Sequence, residues 1–216
     1  MNCIKKISGG AILAVFALSA TIVSCGSSDN PEPKTQALEV KRHTQSRPTS
    51  ASGDSTDWVY FSFATGAEVS GITEANRMTR TDWDIAFNRF YMRTNSGRSG
   101  SGNGGAVETN KTSFIDVNEA PADGYVTDVE ITVSGYSNGA VHTVKSTGNV
   151  ALSRAIRFTG PPPTYTLNDN VFVVRTADGK FAKVIFESFH NSEKKSGYIT
   201  FRYAYQPDGS RNLKSK

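Results

Sequence analysis

Polar and apolar positions alternate with period two along much of the chain after Trp58. Val129, Ile131 and Val133 are interleaved with Glu130, Thr132 and Ser134, the pattern of a half-buried strand. Trp83, Ile85 and Phe87 alternate with Asp82, Asp84 and Asn88, apart from the small Ala86, and predict a strand running on through Tyr91. Segment 58–63 (WVYFSF) reads as the first strand. Segments 171–176 and 181–186 flank Ala177, Asp178, Gly179 and Lys180; Asp-Gly between apolar runs predicts a hairpin, because glycine tolerates positive φ. In the last strand Ile199, Phe201, Tyr203 and Tyr205 share a face opposite Thr200, Arg202 and Ala204. Helical periodicity is missing after the N-terminal run, with a short helix or turn expected near 73–78. The pattern predicts one all-β, antiparallel domain over 57–207, a sandwich or an open barrel, and a tail at 208–216.

The N-terminus follows different rules. Lys5 and Lys6 precede a nearly continuous small or apolar run, 11–23, too short to span a bilayer as a helix. It ends in Ile22, Val23, Ser24, Cys25 and Gly26, which resembles the lipobox of bacterial lipoproteins. That resemblance implies a signal peptide over 1–24, acylation of Cys25, and a lipid anchor in a membrane. Residues 25–56 are rich in Ser and Pro and poor in apolar side chains, and are expected to form a flexible tether. His43 falls in this stretch and reads as a bystander.

Composition narrows the chemistry. The two cysteines are Cys3 and Cys25, so the mature domain has no thiol for a disulfide, a metal or catalysis. The formal charge of +4 drops to +2 once Lys5 and Lys6 leave with the signal peptide. A nearly neutral domain without basic and aromatic residues clustered together argues against nucleic acid. No HExxH, CxxC or nucleophile elbow is present, so an enzyme is not expected. The run 97–105 (GRSGSGNGG) lacks the Lys-Ser/Thr ending of a phosphate loop and reads as a mobile surface loop. Asp82 and Asp84, beside Arg80 and Arg89, read as surface ion-pairing groups.

Several segments, in order, carry a family resemblance: 58–63 (WVYFSF), 83–86 (WDIA), 104–107 (GGAV), 121–125 (PADGY), 160–167 (GPPPTYTL), 171–175 (VFVVR), 177–179 (ADG), 182–183 (AK) and 198–201 (YITF). Together they cover 57–206, and the chain resembles the HmuY family of haem-binding, haemophore-like lipoproteins. The resemblance implies an all-β fold and haem as ligand, with capture and delivery in place of catalysis. It implies partners in haem or host haemoproteins and in an outer-membrane haem receptor. It places the protein at the outer membrane, surface-exposed and able to be shed.

Members of the family can hold iron between two axial histidines on neighbouring loops. His142, after the turn at 137–140, is the candidate first ligand. The second is expected near Gly160 and Pro161, where Thr159 stands, a poor donor to haem iron. Tyr136, Met92 or Met78 are the candidate replacements, and Lys145, Arg154 and Arg157 the candidate propionate contacts. His190 reads as a surface residue. The competing expectation is a surface adhesion or glycan-binding lipoprotein that keeps the fold without binding haem.

Overall fold

The computed structural model describes residues 37–46, 57–137, 140–160 and 162–216, the side chains of 135–137 excepted. The signal peptide, Cys25, most of the tether, the Tyr136 side chain and Pro161 therefore lie outside the described residues. Contacts divide the chain after Thr35, and the β structure belongs to the unit Gln36–Lys216.

Among the described residues thirteen strands form it: β1 (Lys41–Thr44), β2 (Val59–Ser62), β3 (Ala67–Val69), β4 (Ile85–Asn88), β5 (Tyr91–Thr94), β6 (Gly105–Glu108), β7 (Val129–Ser137), β8 (Ala140–Gly148), β9 (Ile156–Thr159), β10 (Thr164–Leu167), β11 (Phe172–Arg175), β12 (Phe181–His190) and β13 (Ser196–Gln206). A five-stranded sheet runs β1-β13-β12-β11-β6 and a four-stranded sheet β3-β2-β4-β5. The hairpins β7-β8 and β9-β10 stand apart from them. Among the described residues all strand pairs are antiparallel and no sheet closes into a barrel.

The two larger sheets pack face to face. Phe61, Ile85, Phe87 and Met92 from one meet Phe172, Val174, Val184, Phe201 and Tyr203 from the other. Each sheet also buries its outer face. Phe114, Val117, Leu38 and Leu213 cover Val171, Val173 and Ala204, while Trp58, Tyr60, Trp83 and Ala86 form a cluster on the four-stranded sheet. Burial on both faces explains why these strands read as nearly continuous apolar runs.

The Asp-Gly hairpin forms as expected, with Arg175 opposite Phe181 and Gly179 at φ +86°. Five expectations change. The strand through Tyr91 is instead a hairpin: β4 ends at Asn88, Arg89 takes φ +55°, and β5 starts at Tyr91. Neither Gly nor Asn holds the positive-φ position of that turn; the Arg89 guanidinium lies over the Phe90 ring (5.4 Å) and donates to the Ser134 carbonyl (3.5 Å).

Part of the expected tether is a strand. β1 pairs with β13, supplying a partner for its ladder, and His43 packs on the rings of Phe61 and Phe201 with Glu68 at 3.3 Å. The expected tail is packed too, with Leu213 fully buried.

The glycine-rich run wraps around buried Asn95. The Asn95 side chain donates to the Arg80 and Trp83 carbonyls and accepts from the Gly102 amide. A Cβ on Gly100 would lie 2.0 Å from Asn95 Oδ1, so the glycines serve close approach, not mobility. Finally, exposed Asp82 pairs with Arg80 as read, but Asp84 is buried.

Candidate functional site

In the β9-β10 hairpin Thr159 stands opposite Thr164. That register sets Phe158 opposite Tyr165 and Ile156 opposite Leu167, and period-two alternation gives these four a common face. Ile156 is buried, and Leu167 and Tyr165 pack against the main core. The Phe158 ring stacks on Phe90 from the β4-β5 turn, 5.2 Å between centroids and 5° from parallel. Tyr165 lies 5.4 Å from Phe158 and 4.2 Å from Phe189. The result is an aromatic shelf.

Across from the shelf stands β7-β8. Its base is fastened by buried polar groups. Arg93, 1% exposed, donates to the Thr147 carbonyl and to Ser146 Oγ, pairs with Glu74, and lies 3.8 Å from the Trp58 ring centre. Asp128, just before β7, accepts from the Thr94 amide and hydroxyl and from Asn149 Nδ2; burial pushes its pKa up against these bonds. Farther along, the Ser134 amide donates to the Tyr91 hydroxyl (3.0 Å).

Between the hairpins and the β4-β5 turn lies a cleft of about 1480 Å³, roomier than the ~300–1,000 Å³ of common ligand pockets. Phe90, Tyr91, Phe158 and Tyr165 line its aromatic part; Ser134 and Val141 line the facing wall. Arg89, Arg154 and Arg157 supply cations. Behind Arg154, Glu108 accepts from Asn170 and Asn168 (2.7 Å each) and pairs with Arg154 (3.3 Å). The Asn170 and Asn168 bonds and the Arg154 charge hold the Glu108 carboxyl below its usual range despite some burial.

Of the residues singled out in the sequence, Arg154 and Arg157 line the cleft. Met92 does not: it is fully buried in the sandwich core, because alternation turns it inward between Tyr91 and Arg93. Lys145 pairs with Glu130 (2.7 Å) at a separate groove that Met78 also lines. His142 is exposed on β8 opposite Gly135; it follows cleft-lining Val141, and neighbouring strand residues point to opposite faces. His190, at the end of β12, lies 6.0 Å from the Tyr165 ring, outside the cleft lining. No histidine, methionine or cysteine lines the cleft among the described residues. Sequence reading passed over Phe90, Tyr91, Phe158 and Tyr165; the readable signal was the Phe158/Tyr165 register about a four-residue proline segment.

Solved structures share this architecture. An apo HmuY analogue of Tannerella forsythia is 26% identical, with a TM-score of 0.61 over 80% of this chain and 99% of that one. Apo PinO, from Porphyromonas gingivitis, is 22% identical, with a TM-score of 0.61 over 78% of this chain and 98% of that one. A Bacteroides fragilis lipoprotein is 22% identical, with a TM-score of 0.60 over 80% and 93%. No curated protein matches the chain. The HmuY protein family model matches residues 54–203, a span that holds both sheets' central strands and all the hairpins around the cleft, and the chain belongs to the HmuY family.

Proposed function

We propose that this protein binds haem in the cleft between β7-β8 and β9-β10 and carries it, without catalysis. The observation that carries the reading is the aromatic shelf of Phe90, Phe158 and Tyr165 beside Arg89, Arg154 and Arg157. A flat apolar macrocycle gains by stacking on such a shelf, and its two propionates by meeting guanidinium groups. Family membership supports the same reading. Bound haem supplies one iron, whose axial position asks for a protein donor. His142 belongs to the cleft-forming hairpin, and its ligation would need β8 to rotate about its own axis. In the same proposal Cys25 carries the lipid, the domain is held at the outer-membrane surface or shed, and haem taken from host haemoproteins passes to an outer-membrane receptor.

Titration of haemin into the purified, detergent-solubilised full chain tests the reading. The expected result is a saturable shift of the Soret band. Phe158→Ala should weaken binding roughly tenfold while leaving the melting temperature nearly unchanged, since Phe158 is 40% exposed. A titration with no saturable shift would refute haem binding and favour a glycan-binding module.

A further inference from the structure

Four rings line the cleft in unbroken succession. Tyr91 lies 4.6 Å from Phe90, Phe90 5.2 Å from Phe158, and Phe158 5.4 Å from Tyr165, centroid to centroid. Neighbours this close leave no slot between them, so a flat ligand lies over the row and not between its members. Val141, 68% exposed, brings apolar surface to the facing wall. Among the described residues, the donors that could reach a haem iron are placed otherwise. Met92 points into the sandwich core. His142 follows cleft-lining Val141 on β8 and so turns to the other face, and His190 stands outside the lining. The Tyr91 oxygen faces the Ser134 amide, 3.0 Å away, and the Tyr165 ring packs against Phe158 and Phe189. Cations, by contrast, are well supplied by Arg89, Arg154 and Arg157.

We propose that the cleft recognises the porphyrin ring and its carboxylates and not the iron, so that iron-free protoporphyrin binds about as tightly as haemin. The inference rests on reading the cleft as a haem site, and it widens the ligand class to planar tetrapyrroles that carry carboxylates, with or without a metal. Stacking and apolar contact depend on the faces of the macrocycle, and guanidinium pairing depends on its carboxylates. Iron changes neither. Binding makes and breaks no covalent bond. An axial donor would add a contact that only the metallated ring can make, and it would show as a preference for haemin.

The test titrates haemin and iron-free protoporphyrin IX separately into the detergent-solubilised full chain, with protein-free micelles as the blank. Haemin is followed by its Soret band and protoporphyrin by its fluorescence. The two dissociation constants should agree within about tenfold, and each ligand should displace the other. Phe158→Ala should weaken both by one common factor, because it takes away a stacking partner that both ligands use. The wild-type ratio decides the matter without any variant. Haemin binding more than about tenfold tighter than protoporphyrin, or a Phe158→Ala chain that loses protoporphyrin and keeps haemin, overturns the inference and leaves the haem reading standing. Saturable binding of neither ligand overturns the haem reading of the cleft itself.

Discussion

Asp84 offers the sharpest test of the fold's energetics. It begins β4's approach to the sandwich and is 6% exposed. Its Oδ2 accepts from the Phe63 amide (2.8 Å) and its Oδ1 from the Ala177 amide (3.0 Å), tying β2 to the β11-β12 turn. Burial raises its pKa from 3.8 to about 6, against the lowering effect of the Ala177 and Phe63 bonds; Asp178 raises it further. Between these values the native state keeps a proton that the unfolded chain has lost. Stability therefore falls as pH rises through this window, by up to about 3 kcal/mol from this group. Asp84→Asn removes the titration and sets an amide nitrogen against one of the two N–H donors, a loss of about 1–3 kcal/mol at every pH. Urea unfolding of both proteins at about pH 4 and about pH 7 separates the two effects. The stability difference should move in the variant's favour by as much as about 3 kcal/mol at the higher pH. A difference that stays constant within about 0.5 kcal/mol, or moves toward the wild type, would refute the reasoning.

Two further substitutions test the supports of the site. Gly100→Ala pushes a methyl into Asn95 Oδ1 and should cost about 3 kcal/mol in chemical denaturation; an unchanged midpoint would contradict the close packing of the glycine-rich run. Arg93→Met takes one of two arginine partners from Glu74 and a donor from the Thr147 carbonyl; because Glu74 keeps Arg77 and access to water, the cost should be about 2 kcal/mol, read by thermal melting, and haemin affinity should fall with it.

Strands were legible wherever their cause was local. The β7 alternation and the Asp178-Gly179 turn needed no knowledge of distant partners. The β4-β5 turn was hidden because Arg89, not glycine, takes the left-handed conformation there, steadied by contacts to Ser134 and Phe90. β1 was hidden because LysArgHisThr has little apolar character of its own; its place comes from the β13 ladder. The site was hardest to see. Choosing Met92 by donor chemistry ignored its inward phase on β5, and the cleft joins segments whose proximity depends on hairpins folding over one another. That Arg154 and Arg157 line the cleft follows from their position just before and within the short hairpin that forms its wall.

The pairing at the end of the chain has a practical consequence. The Leu38 amide donates to the Lys214 carbonyl (2.7 Å), and the Lys216 amide reaches the Leu38 carbonyl (3.4 Å). The first and last described residues of the domain therefore lie side by side. A short linker from Lys216 to Ala37 would make a circular permutant without crossing the core, provided new ends are opened at an exposed turn. By the same adjacency, a fluorophore or affinity tag fused after Lys216 would report on the entrance where the N-terminal segment joins the domain.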